Sequence, residues 1–474
     1  MTRISSTRLV GTLGAVVLTV AILQTSVVPI LGAIAGQLQV SRGAVGWVVT
    51  ANLLAAAAAA PLVGRLADLY NKKTVLLGTL AVVLAGSLLG AVTSSLPLLV
   101  LGRALQGTSF AVYPIAVSIL RDELPADRLF RAIGSVSATL GLGSALALLS
   151  TGFLMPEGAS YHRVFWLLTG LVIGAMVLSA AMVPSRPRIV TEKVDWFGAA
   201  ALALGLSLLM LTITKGSVWG WGSFPTLAIT AASIGVMVVW WRWTRRCPYP
   251  LVSTALLGHR PVLRANISSF LVGTGSYFSL LGLSTCAGSP IITGHGFGAN
   301  AQGVSLQFLL PGAVAATATA MITGRLIERF GARTVMLGGG VIGVVGFVML
   351  AIGHGSRGQL FTAGLLTSAY ISLAYGALTA LIVGYVEPGE TGIANSLNGI
   401  FSKVGGATAA AMIAPLLTSV GGSSAQSGYL ILFSTGAVTT ALAVLLVWRG
   451  RPSPVITSDT PEHAGSPALV TRMR

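Results

Sequence analysis

The chain has 474 residues, 54% of them hydrophobic and only 9% charged, and a net charge of +17. A soluble domain carries roughly 25% charged residues, so this composition excludes an ordinary soluble fold and makes the bilayer the fitting solvent. The basic excess does not imply nucleic acid, because it lies in short loops on one side of long apolar runs.

An apolar helix of about 20 residues crosses the hydrocarbon core. That rule places fourteen spans. The first six cover about residues 9–33, 44–63, 74–93, 96–120, 132–154 and 164–183; two follow at about 196–214 and 225–243; the last six lie at about 265–287, 302–323, 334–352, 360–385, 392–417 and 428–448. The first run is longer than the apolar core of about 7–15 residues that a signal peptide carries, so it is expected to be retained. Of the 29 lysines and arginines, only Arg42, Arg163, Lys215 and Arg357 fall in loops on the side opposite the N-terminus, and Arg103 and Lys403 fall inside spans. This bias predicts that both termini are cytoplasmic, in a multi-pass protein of the cytoplasmic membrane.

The layout divides as residues 1–183, a six-helix half; 184–264, two inserted helices with their linkers; 265–448, a second six-helix half; and 449–474, a polar tail expected to be disordered. The loop between the inserted helices, Lys215 to Gly222, is rich in Trp and Gly and reads as an interfacial aromatic belt. Cys247 and Cys286 have no ligand spacing around them and predict neither a disulfide framework nor a metal site. No cofactor is implied.

One segment occurs twice. Gly64-Arg65-Leu66-Ala67-Asp68-Leu69-Tyr70-Asn71-Lys72-Lys73 follows the second span, and Gly324-Arg325-Leu326-Ile327-Glu328-Arg329-Phe330-Gly331-Ala332-Arg333 follows the tenth. Each copy has a glycine, an acid four residues on, a turn residue at seven and a base at nine. Internal repeats in membrane chains mark secondary transporters. Gly64 is expected to allow close helix approach. Asn71 is expected to tolerate a left-handed backbone where the second copy has Gly331. Lys72 and Lys73 read equally as topology charges or as part of a gate.

These residues resemble the major facilitator superfamily. The paired loops, Leu99-x3-Arg103-x2-Gln106-Gly107, Arg121-Asp122-Glu123-Leu124-Pro125 and Asp195-Trp196-Phe197-Gly198 together resemble its fourteen-helix drug:proton antiporter branch, over nearly the whole chain. The resemblance implies an all-α fold and alternating access between two six-helix halves. It also implies a cytoplasmic gate at Gly64, Arg65, Asp68, Lys72, Lys73, Gly324, Glu328, Arg329 and Arg333. Asp68 would act there as a latch, with Arg65 or Arg128 as its partner because Leu69 stands where the family has Arg. In the fifth span Gly134, Gly143 and Gly152 fit the antiporter spacing, whereas Ala147, Leu148 and Thr151 replace its Gly, Pro and Gly.

The embedded charges are the sharpest signal. All twelve acids and all five histidines fall outside the spans or at their edges. A proton-coupled exporter usually holds its proton on an intramembrane acid or histidine, and Gln24 occupies the position where the branch commonly has an acid. Arg103 and Lys403 remain. Either they are satisfied locally, Arg103 by backbone carbonyls of the first span and Lys403 by snorkelling, or both face a cavity and hold an anionic or carbonyl-rich substrate. Gln24, Asn52, Gln106, Tyr113, Tyr277, Gln307, Tyr375 and Asn398 complete the expected cavity, each reading alternatively as helix–helix glue.

The expected function is efflux of a small amphipathic compound, a drug, antibiotic or secondary metabolite, by proton antiport. The alternative is a facilitator or importer of an anionic metabolite. A membrane enzyme would need a reactive acid or His cluster, and Asp122-Glu123 is the only close acidic pair. A monomer in the lipid bilayer, with a small-molecule substrate and protons as partners, is the expectation.

Overall fold

The computed structural model describes residues 6–186, 194–248, 250, 258–290, 296–352, 356–386, 391–418 and 425–449. The described chain is helical, and the helices alternate in direction between two faces. The face that carries the loop at residues 70–71 is called here the basic face, and the other the far face. Glu192, His295, His354, Glu387, Glu390 and the tail after 449 lie outside the described residues.

Thirteen helical stretches among the described residues are long and apolar enough to cross a membrane. The fourteenth crossing, span 4, is divided: Leu96–Gly107, a 3-10 turn at Thr108–Ala111, then Val112–Glu123. Pro114 explains the break, since it has no N–H to donate to the Phe110 carbonyl four residues back. The same cause acts twice more. In span 1 the helix Ser6–Thr25 stops four residues before Pro29, and the chain continues through Val28–Ile30 to Leu31–Gln37. In span 10 a π-helical turn, Val304–Leu309, encloses Gln307, four residues before Pro311. Exposed apolar side chains such as Ile352, Val341 and Phe153 ring the outside, as lipid contact requires.

The remaining spans are Trp47–Leu69 (span 2), Lys72–Val92 (3), Ala126–Leu154 (5), His162–Met182 (6), Trp196–Trp219 (7), Phe224–Thr244 (8), Arg260–Gly288 (9), Ala332–Ile352 (11), Arg357–Tyr385 (12), Thr391–Thr418 (13) and Ala425–Trp448 (14). Span 10 ends in the helix Leu310–Phe330.

Spans 2 and 10 run through most of the repeated segment, so each loop shrinks to a tight turn. The two turns differ. Gly331 is left-handed, with φ of 81°. Asn71 has φ of −59° and acts as the N-cap of span 3, accepting from the Lys73 amide. The left-handed role expected of Asn71 is therefore replaced by capping, the commoner use of an Asx side chain.

The base nine residues into each copy does one job in both halves. Lys73 donates to the Ala180 carbonyl at the end of span 6 (2.7 Å), and Arg333 donates to the Trp448 carbonyl at the end of span 14. Lys72 pairs with Asp122 at the end of span 4 (2.6 Å) and donates to the Ser118 carbonyl. Arg186 forks onto Glu123, which holds the guanidinium pKa above its ordinary value. These bases thus fasten helix ends within their own half, beyond any topological role.

The inserted pair lies along one side of the junction between halves. Span 7 packs on spans 2 and 13, with Met210 buried against Thr408. Asp195 caps it through the Gly198 amide (2.8 Å) and accepts from the Trp243 indole of span 8 (2.8 Å).

Candidate functional site

The halves share a core toward the far face. Val28, Val49, Leu53, Leu54, Ala57 and Leu148 of the first half belong to the apolar cluster built mainly by the second. Polar contacts cross there too: Ser284 donates to the Val28 carbonyl (3.4 Å) and Ser305 to that of Leu148 (2.6 Å). Toward the basic face, the cluster holding Val63, Ala67, Ile119, Leu120 and Ala132 contains first-half residues only.

Glycines report the same gradient. A Cβ at Gly152 would strike Leu306, one at Gly141 would strike Thr317, and one at Gly43 would touch Ala414, all across the junction. A Cβ at Gly64, Gly134 or Gly324 would meet no atom within 4 Å. The close helix approach expected at Gly64 is therefore absent in this arrangement. Of the fifth-span glycines, Gly143 packs on Leu18 and Ala21 and Gly152 on Leu306, while Gly134 faces open space.

The surroundings of span 13 change along one helical face. Gly399 faces open space, and Lys403 follows one turn on. Gly406 packs on Tyr277 and Leu53, which form a septum. Ala410 then lines a far-face cavity of about 1360 Å³ that both halves enclose, with Gln37, Glu157, Lys215, Ser284 and Asn300 among its polar lining. Lys403 sits between Gly399 and Gly406 on that face.

The Lys403 ammonium lies 4.2 Å from the centroid of the Phe110 ring, in the 3-10 break of span 4 and thus across the junction. Among the described residues it makes no hydrogen bond and no ion pair. An embedded cation costs about 2.5–3.5 kcal/mol on insertion scales, and a cation–π contact returns about 0.5–2 kcal/mol. The contact offsets only part of the desolvation.

Arg103 is handled differently. It is 2% exposed, donates to the Val48 carbonyl (3.2 Å) and to Gln106 Oε1 (2.7 Å), and Gln106 in turn donates to Ser87 Oγ (2.9 Å). Asn52 donates to the Arg103 carbonyl (3.0 Å). The backbone partner belongs to span 2, not to span 1 as expected from the sequence. The network ties spans 2, 3 and 4 together with neutral acceptors.

The other cavity candidates separate similarly. Asn398 donates to Ser269 and to Asn266 Oδ1, inside the second half. The Tyr375 hydroxyl accepts from Ser402 (3.0 Å) and lies 3.4 Å from Ser276 Oγ. Tyr113 bonds Ser137 (2.7 Å). Gln307 is exposed in the π-turn, and Gln24 is half-buried with no hydrogen bond among the described residues. Tyr277 stands in the septum, within electrostatic range of Arg103. None of these predicted residues lines the far-face cavity.

At the expected gate, Glu328 and Arg329 are exposed, and the Arg329 guanidinium lies over the adjacent Phe330 ring (5.2 Å). The Asp68 side chain lies outside the described atoms. Sequence reasoning named Tyr277 but missed Phe110, Leu53 and Gly406. Pro114 is a signal that could have located the irregular backbone carrying Phe110.

The profile of the Major Facilitator Superfamily matches residues 13–287 and 265–473. A triacylglyceride transporter of Mycolicibacterium smegmatis is 28% identical over 74% of this chain, and the match spans 64% of that longer protein. A uridine/deoxyuridine transporter of Lactococcus lactis subsp. cremoris is 29% identical over 85% of each chain. Multidrug resistance protein 3 of Bacillus subtilis is 25% identical over 76% of this chain and 69% of its own. In structure, the human organic anion transporter MFSD10 superposes with a TM-score of 0.62 at 16% identity, covering 94% of this chain and 99% of that one. The fold, the repeated loops and the profile agree: this multi-pass membrane protein belongs to the Major Facilitator Superfamily of transporters.

Proposed function

We propose that the chain exports a small amphipathic compound by alternating access, in exchange for protons, across the cytoplasmic membrane with its basic face inward. The observation that carries this reading is the gradient along span 13. The halves meet at Gly406, where Leu53 and Tyr277 pack, and leave Gly399 uncovered, with Lys403 between the two. Such a junction supports a cavity open to one face that reseals when the halves rock. The name of the multidrug relative supports an amphipathic cargo. The names of the triacylglyceride and nucleoside transporters leave the drug branch one reading among several. Lys403, with no counter-ion among the described residues, favours one competing reading, a facilitator of an anionic metabolite.

Proteoliposomes separate the two. A cationic fluorescent dye and a set of organic anions are offered under an imposed pH difference. Accumulation driven by that difference supports proton antiport. Equilibration that ignores it supports the facilitator.

A further inference from the structure

We infer that Lys403 and Phe110 form an anion site for a small organic monoanion with an aromatic or apolar body, held between the halves on the basic-face side of Gly406. The inference rests on the transporter reading above and gives its substrate a charge class.

Four observations converge. The half-buried Lys403 ammonium has three donors and no acceptor among the described residues, so its donors are available to a ligand. It rests on the face of an aromatic ring that belongs to the opposite half, so a ligand bound there touches both halves at once. The open space at Gly399 lies one turn to the basic-face side of Lys403, and Tyr277 and Leu53 both pack on Gly406 to its far-face side. Finally, the nearby polar groups are already engaged. Asn398, Ser402 and Tyr375 bond partners in the second half, and Arg103 bonds Val48 and Gln106 in the first. Span 13 holds no carboxylate, and the two in span 4, Asp122 and Glu123, pair with Lys72 and Arg186 at its basic-face end, so an anionic cargo meets Lys403 without displacing an ion pair.

The carboxylate would accept from the ammonium, and the apolar body would lie along Phe110 and Tyr277. Rocking of the halves moves Phe110 relative to Lys403, because the two residues sit on opposite sides of the junction. The anion then replaces the ring as the partner of the cation. Binding and rocking are coupled through that exchange.

The test is binding to the purified full-length protein in detergent, followed calorimetrically, with three probes of one shape: 1-naphthoate, 1-naphthamide and 1-naphthylmethylammonium. The expected result is that the naphthoate binds at least tenfold more tightly than the amide, and that the ammonium binds weakest. Lys403→Gln is expected to erase the difference between naphthoate and amide while still binding the amide, which also shows that the variant is folded. Lys403→Arg is expected to keep the preference. Equal binding of naphthoate and amide by the natural protein, no saturable naphthoate binding, or a preference that survives Lys403→Gln overturns the inference. Transport in the proteoliposome assay is read separately, so a failed anion site and a failed transporter reading give different results.

Discussion

Each half of the molecule carries one cation within its spans, Arg103 buried and Lys403 half-buried, and the two are stabilised by opposite means. Arg103 is satisfied by a hydrogen-bonded chain that runs through Val48, Gln106 and Ser87 and stays inside the first half. Lys403 is held by one aromatic face that belongs to the other half. The contrast follows from side-chain chemistry. A guanidinium presents a planar fork that fixed neutral acceptors can saturate, and it stays charged without a carboxylate. An ammonium is compact and mobile, and readily takes a new partner. The first cation behaves as a structural rivet, and the second is free to exchange partners when the halves move.

Five substitutions test that contrast and the junction around it. The largest effect is expected from Arg103→Leu. It strands the Val48 carbonyl and the Gln106 amide in a buried site, so stability should fall by about 3 kcal/mol; thermal melting in detergent measures it, and an unchanged melting point would remove the structural role. Lys403→Met should do the reverse. Removing a poorly compensated ammonium should raise stability by up to about 2 kcal/mol, while transport of anionic compounds is lost; a large drop in melting point would place Lys403 with Arg103 instead.

Gly152→Leu comes next. It forces a side chain into Leu306 across the junction, an overpacking worth about 1–3 kcal/mol. The halves should separate at the far face, and a cysteine introduced at Leu306 should gain reactivity toward a membrane-impermeant thiol reagent. Gly134→Leu is its control, expected to alter stability by less than about 0.5 kcal/mol because nothing lies against it here. Apart from that control, the smallest effect belongs to Phe110→Leu, which removes a cation–π contact of about 1 kcal/mol. Naphthoate affinity should change more than melting temperature, and the opposite order would make Phe110 a packing residue only.

Much of this was legible in the sequence, for physical reasons. A bilayer demands long apolar stretches and internally satisfied backbones, so the spans could be read from composition. The duplicated loop marked the halves before any coordinate did. The two embedded cations stood out because charge is expensive there. What could not be read was partnership. Gln106 sits three residues from Arg103, close enough for a helical neighbour to be expected. Phe110 lies almost three hundred residues before Lys403, and nothing local connects them. The turn at Asn71 was misread because Asn serves both left-handed turns and N-caps, and only the backbone angle decides. The fifth-span glycines look alike on paper, yet Gly152 is packed and Gly134 is not. That difference belongs to how the halves are seated, which residue spacing does not encode.

The repeated base at position nine has a consequence for how the chain can be divided. Lys73 reaches the last helix of its half, and Arg333 does the same in the other. Each six-helix bundle is thereby latched to itself, first turn to final helix, without help from the linker that joins them. Neither latch draws on the connection that follows Arg186. Two polypeptides cut at that connection and made in one cell should find each other in the membrane and rebuild the working pair.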